Sequence, residues 1–260
     1  MGRESLENGA ARTAAELRVQ LAQMTAASQF LERCAWDEKS RGYLAAMNQG
    51  ICRMLRIVGR MELAERLDSE TPRVKLAPAD LGVLTAELGD RMEGLLERAG
   101  VALLTACPER LPARVDAELI RQMLLELVSN GAKAGKRVRL TLERERDSAL
   151  FTVEDDGPGL PPGELERLFS GGGPDVPEWR SGGNGAAIAQ RIAALHGGAL
   201  VARCAPGRGL KVTASIPLNR GGDGGLECPR AEWDRGGFDE AMVGLSHLLP
   251  AGVFAPGEYE

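Results

Sequence analysis

The chain of 260 residues is 43% hydrophobic, enough apolar material for one large domain or two modest cores. Its formal net charge of −5 supplies no basic excess to draw a phosphate backbone, which argues against a general nucleic-acid binder. With no apolar run long enough to span a bilayer and no signal peptide in its polar start, the sequence reads as cytoplasmic with no membrane partner.

Five scattered cysteines (Cys34, Cys52, Cys107, Cys204 and Cys228) match neither a disulfide framework nor a zinc site. Most are expected to be small buried hydrophobes in a reducing compartment.

Residues 10–68 lack proline, and apolar residues recur in alternating steps of four and three. Leu17, Leu21, Met24, Ser28 and Leu31 form one seam; Leu44, Met47, Ile51, Met54, Val58 and Met61 form another. The spacing predicts two packed helices with a heptad-like register. The polar break WDEKSRG separates them, with Asp37 as a capping residue, and its shortness makes the helices antiparallel. One hairpin encloses little interior, so the expectation is a homodimer through residues 10–68, two hairpins forming a four-helix bundle. The alternative is a hairpin packed against the rest of its own chain.

From Thr71 the texture changes. VKLA predicts a short strand, followed by a helix from Pro78 to Arg98 with proline in its first turn, and then a strand at VALLT. A helix over about 116–133 precedes two strands, RVRLTL and ALFTVE. A helix over about 184–195 and strands near ALVAR and LKVTASIPL complete an α/β domain, all its helices on one side of a mostly antiparallel sheet. The organisation reads as a helical hairpin over 1–70, an α/β domain over 71–220, and a glycine-rich linker and tail over 221–260. In that tail Phe238, Met242, Leu245 and Leu249 share one helical face, as in a docking helix or a partly ordered tail.

Three stretches of the α/β domain carry chemistry. VEDDGPGL closes a strand with Asp155 and Asp156. A carboxylate there accepts a hydrogen bond from the amino group of a planar ligand, and Gly157 and Gly159 let backbone approach that ligand's face. ELVSNGAK places Glu126, Asn130 and Lys133 on one side of a helix, a set that suits hydrated magnesium beside phosphates. SGGNGAAIAQRI puts glycines before a helix start, where unpaired N–H groups bind phosphate oxygens. Singly, each stretch has an ordinary structural reading as a turn, a cap or a loop. Together and in this order, they point to a nucleotide.

Here the chain resembles the ATP-binding fold shared by sensor histidine kinases, type II topoisomerase subunits and MutL-type repair proteins, the Bergerat or GHKL type. Within it, residues 10–218 are similar to bacterial histidine kinases. The resemblance implies ATP and Mg2+ as cofactors, with Asn130 and Glu126 at the metal, Lys133 near the phosphates and Asp155 pairing adenine. Gly157, Gly159, Gly183 and Gly185 fall in the glycine boxes, and Phe169 in the phenylalanine box. Arg180 is the cation near enough in sequence to reach a γ-phosphate. His196, at the end of the last helix, reads as structural.

The departures bear on function. The second glycine box reads Ser181, Gly182, Gly183, Asn184, Gly185, Ala186, with one glycine and both leucines of the usual pattern replaced. In the hairpin, AAELRVQL stands where kinases carry the phosphorylated histidine. Glu16, Leu17, Arg18 and Leu21 match, but Ala15 takes the histidine position and Gln20 that of the bending proline. The chain's two histidines, His196 and His247, lie outside the hairpin.

The expected function is a histidine-kinase-like signalling protein that lacks self-phosphorylation and binds a two-component partner, a sensor kinase or response regulator. The alternatives are an ATP-dependent kinase or ATPase acting on a partner, for which Glu16 and Glu126 are the catalytic candidates, and a dimeric scaffold without nucleotide.

Overall fold

The computed structural model describes residues 2–256 except 33, 35, 36, 69–71, 73, 161–184, 205, 206, 208, 219–232 and 236, with side chains from residue 13 onward. It divides into two compact units, residues 1–69 with 233–260, and residues 70–232.

In the first unit, α1 (Gly2–Glu32) and α2 (Glu38–Asp68) form the hairpin. Asp37 Oδ1 accepts from Ser40 N at 2.8 Å, satisfying an N–H that the first turn leaves without a helical partner. No proline interrupts α1, which runs unbroken through Ala15 and Gln20. Burial splits the heptad pattern into two rows. Ala14, Leu21 and Ser28 on α1, with Leu44, Ile51 and Val58 on α2, are buried. Leu17, Met24, Met47 and Met54 stay between 37% and 44% exposed, and Tyr43 and Ile57 extend that outward row.

The seam contains one polar device. Ser28 donates to Asn48 Oδ1, and Asn48 Nδ2 donates to Glu32 Oε1 at 2.8 Å and to Phe254 O at 3.2 Å. Ser28 and Asn48 are fully buried, so a register slip would strand polar groups away from water.

Residues 233–256 complete this unit. A two-stranded ribbon (Asp234–Arg235 with Phe238–Asp239) turns at Gly237, whose φ of 88° lies in the left-handed region. It leads into a short helix, Glu240–Leu245, capped by Asp239 accepting from Ala241 N at 2.8 Å and Met242 N at 3.2 Å. A 3-10 turn follows at Ala251–Phe254. The helix is shorter than the face over Phe238–Leu249 predicts, yet Phe238, Met242, Leu245 and Leu249 are all buried, as are Val253 and Phe254. Gln49 Nε2 donates to Leu249 O at 2.7 Å, which places the segment against α2.

The second unit is an α/β layer pair. β1 (Ala77–Asp80) pairs antiparallel with β3 (Pro112–Val115) as a small ribbon. The main sheet has the order β2-β4-β5-β7-β6, from β2 (Ala102–Ala106), β4 (Arg137–Glu145), β5 (Ser148–Asp155), β6 (Ala199–Cys204) and β7 (Leu210–Pro217). Only β2 and β4 are parallel. Helices α3 (Leu81–Arg98), α4 (Ala117–Ala134) and α5 (Gly185–Leu195) supply the apolar layer. Leu88, Met92, Met123, Leu124 and Ile192 bury with Leu140, Phe151 and Ala214 of the strands. On the other face Leu104 and Val201 are exposed, and Thr152 and Thr213 pair across β5 and β7 at 3.0 Å.

Three expectations are corrected. The strand read at VKLA lies further on, at Ala77–Asp80, and the helix read from Pro78 begins at Leu81. The reason is Asp80, whose Oδ1 accepts from Gly82 N (3.0 Å), Val83 N (3.3 Å) and Leu111 N (2.9 Å), fixing the helix start three residues later. Pro78 sits in a two-stranded ribbon, whose outer edge needs no N–H donor. Strand β3 is too short for its alternation to have been read. Of the four described cysteines, only Cys52 is buried; Cys34 is exposed, and Cys107 and Cys204 lie between.

The tail's contribution to the helical unit is measurable. Phe254→Ala removes a fully buried ring and is expected to cost about 3–5 kcal/mol. Far-ultraviolet circular dichroism melts would register an earlier loss of helix; an unmoved melt would mean that the segment adds little to the hairpin.

Candidate functional site

The C-terminal end of β5 organises the site. Pairing sets Asp155 opposite Val138 of β4, and Val153 opposite Val212 of β7. Asp155 Oδ1 accepts from Gly157 N at 2.9 Å and Leu210 N at 3.3 Å. Among the described residues none donates to Oδ2. Burial pushes the Asp155 carboxyl above its ordinary pKa and the neighbouring Asp156 charge adds to this, while the two N–H donors oppose it.

Asp156 has a different task. Its Oδ1 accepts from Lys136 N at 2.7 Å and Arg137 N at 2.8 Å, and its Oδ2 meets Arg137 Nε at 3.0 Å. It therefore ties the end of β5 to the turn between α4 and β4. The Arg137 N–H, then the Arg137 guanidinium and the Lys136 N–H, hold its pKa down at about 2. One acid faces the cavity and the other holds the frame.

The cavity beside Asp155 measures about 220 Å³. Leu127, Val153, Leu160, Leu210 and Val212 supply its apolar walls, with Asn130, Asp155 and Gly159 as polar or backbone contributors. It is smaller than the roughly 300–1,000 Å³ sites that bury a drug-sized ligand, so it suits one planar ring with the rest of the molecule outside. Gly159 reaches it with a φ of 73°. Cys204 Sγ accepts from Leu160 N at 2.8 Å and anchors the loop's far end to β6.

At the start of α5, Gly185 packs against α4. A Cβ there would collide with Glu126 Oε2 and stand 3.0 Å from Asn130 Nδ2, so a carboxylate and an amide converge on one spot at a helix N-terminus. The Glu126 oxygen is a ligand type that magnesium accepts, and Asn130 could add its amide oxygen only with its side chain turned the other way round, since Nδ2 is the atom that faces this spot. The described residues contain no cluster of three His, Cys, Asp or Glu, and a magnesium ion held this way requires none.

Of the sequence-read residues, Asn130, Asp155 and Gly159 line the cavity, and Glu126 and Gly185 meet beside it. Gly157 is buried on the α4 side, where a Cβ would stand 2.8 Å from Ala134 O; it serves the turn. Lys133 is exposed and does not line the cavity. Phe169, Arg180, Ser181, Gly183 and Asn184 lie outside the described residues. Glu16 is exposed on α1, in the helical unit. His196 is buried; its Nε2 accepts from Asp116 N at 3.0 Å and its Nδ1 bonds Ile192 O at 2.8 Å, a structural role at the end of α5. Reading the sequence missed Leu210 and Gly209, whose φ of 75° and contact with Asp155 O set the second N–H on Asp155. The glycine in RGLKV was the only available signal.

Residues 115–220 match the family described as histidine kinase-, DNA gyrase B- and HSP90-like ATPase. The α/β domain thus has the histidine-kinase-like ATPase fold, and its sequence is similar to those of several two-component sensor kinases. The sensor histidine kinase MtrB of Mycobacterium leprae is 34% identical over 163 residues, 60% of this chain and 29% of MtrB. The sensor protein ChvG of Agrobacterium fabrum is 26% identical over 82% of this chain and 39% of ChvG. The chain thus spans well under half the length of either relative. The crystal structure of full-length ShkA in complex with AMPPNP superposes with a TM-score of 0.64 at 24% identity, over 82% of this chain and 46% of ShkA, a likeness of fold. No helix among the described residues is long and apolar enough to cross a membrane.

The two aspartates separate by pH. An ordinary aspartate titrates at 3.8, and a folded-state value of about 2 makes Asp156 stabilising above pH 3.8, an effect lost as pH falls toward 2. Asp156→Asn is expected to melt below wild type at neutral pH, with the gap closing over that window. Melting curves at stepped pH check this, and a gap independent of pH would assign the role to shape instead of charge.

Proposed function

We propose that this chain is a histidine-kinase-like, nucleotide-binding signalling module that does not phosphorylate its own hairpin and acts by binding a two-component partner, a sensor kinase or a response regulator. The observation that carries the nucleotide half is the cavity that Asp155 and Asn130 both line. Asp155 accepts from the amino group of adenine; Glu126 and Asn130 hold magnesium, which neutralises phosphate charge when bound. Lys133, Arg180, Gly183 and Gly185 would serve the phosphates. The absence of self-phosphorylation rests on Ala15 at the acceptor position of the resemblance, and on a hairpin without histidine.

A second reading, phosphoryl transfer to a partner protein, is favoured by the convergence of Glu126 and Asn130 at the start of α5. It needs no histidine in this chain.

Calorimetric titration with ATP and a non-hydrolysable analogue, with and without magnesium, tests the nucleotide half. Asp155→Asn keeps an oxygen for the two backbone N–H groups but turns an amide NH2 toward the ligand's own NH2. Binding is expected to weaken at least about tenfold, near 1.4 kcal/mol, with the melt unchanged. Equal affinity in the variant would remove Asp155 from adenine recognition, and no binding of ATP to the wild type at millimolar concentration would leave the scaffold reading.

The homodimer through residues 10–68 is supported by the outward row of Leu17, Met24, Met47 and Met54, with Tyr43 and Ile57, because a second copy presents the same uncharged row. Met54→Asp, which buries a charge only if that row is covered, is expected to shift the chain from dimer to monomer in light scattering. A dimer that persists through this change would place the contact elsewhere.

A further inference from the structure

The hairpin has a second side, away from its outward row, and residues 233–256 occupy it. This segment is held largely by its backbone. Gln29 Nε2 donates to Gly237 O (3.1 Å), Asn48 Nδ2 to Phe254 O (3.2 Å), Gln49 Nε2 to Leu249 O (2.7 Å) and Arg41 to Pro256 O (3.0 Å). Arg56 Nε reaches Gly244 O at 2.9 Å and Arg53 Nε reaches Ser246 O at 3.4 Å, so two guanidinium groups meet the carbonyl end of the short helix Glu240–Leu245. Cations are favoured there, where carbonyls lack helical partners and the helix dipole is negative.

Side chains that read carbonyls place little demand on the sequence they hold. Specificity then rests on the apolar positions, here Phe238, Met242, Leu245, Leu249, Val253 and Phe254, all buried. The segment also organises itself locally through its ribbon, the turn at Gly237 and the Asp239 cap. It is separated from β7 by a glycine-rich stretch, NRGGDGG onward. A self-capped apolar element, tethered to the chain and gripped by its carbonyls, is what a groove for a short amphipathic helix looks like with its occupant supplied in cis.

We infer that the side of the hairpin bearing Gln29, Asn48, Gln49, Arg53 and Arg56 is a docking groove for a short amphipathic protein helix with an uncapped carbonyl end, and that residues 233–256 close it in cis. The inference rests on the proposal that the hairpin binds another protein, and it adds that such a partner must displace the chain's own segment. A competitor's apparent affinity is then reduced by the fraction of chains whose groove is open.

The test uses the full chain and a fluorescent peptide of residues 233–260 as probe, with no nucleotide and no two-component protein. Gly237→Ala loosens the cis segment without removing a core side chain: its φ of 88° disfavours alanine, and the added Cβ would meet Thr25 Cγ2 and Gln29 Nε2, each at 2.7 Å. Leu249→Ala is a second, independent loosening. Both variants are expected to bind the peptide about tenfold tighter than wild type in fluorescence anisotropy, with helix content retained. Loss of helix in both variants would make the segment a permanent part of the core and overturn the inference. So would unchanged peptide affinity in a folded variant, or dimers that exchange tails between copies in place of binding peptide. A failure here leaves the nucleotide titration standing, and a chain that binds no ATP leaves this test intact.

Discussion

The candidate site depends on two adjacent carboxylates turned opposite ways at the end of one strand. Asp155 is the last residue of β5 and Asp156 the first beyond it, and their hydrogen-bond partners give them different tasks. Asp156 gathers the N–H groups of Lys136 and Arg137 and so fixes the end of α4 against β5. With that frame held, Asp155 receives Gly157 N and Leu210 N on one oxygen and presents the other to the cavity. Asp156 thus ties the end of β5 to the turn that follows α4, the helix that carries Asn130 and Glu126.

The helical unit solves a different problem. Two helices alone bury little apolar surface and leave one apolar side of the hairpin to be covered. The chain answers with a segment more than 160 residues further along, whose apolar side chains complete the interior beside Ile51, Leu55 and the Ser28–Asn48 pair. The α/β domain is thus an insertion between a hairpin and its own cap. One side of the hairpin is closed by this cap, and the other still shows the methionine-rich row.

Where sequence reading succeeded and where it failed follows from the range of the interactions. The helix carrying ELVSNGAK and the strand ending in VEDD were legible because a periodicity of 3.6 or 2 is a local property. The same applies to the cavity residues Asn130, Asp155 and Gly159, whose spacing is set by the elements that carry them. The helix start at Leu81 was misread because Pro78 suits a first helical turn, whereas Asp80 caps the helix two residues later and also accepts Leu111 N, a bond that spans thirty-one residues. Leu210 and Gly209 escaped notice because their contribution to Asp155 is made by backbone, which any residue carries.

By itself the sequence determined the order of elements, the two-helix seam, the motifs along α4, β5 and the start of α5, and the alanine at position 15. These are fixed by side-chain type and by spacings of a few residues. Only the tertiary structure decided which heptad row turns inward, which of two neighbouring aspartates faces the cavity, and where the C-terminal segment rests. Each of those outcomes is set by partners distant in the chain, through burial and hydrogen bonds whose geometry no local pattern encodes.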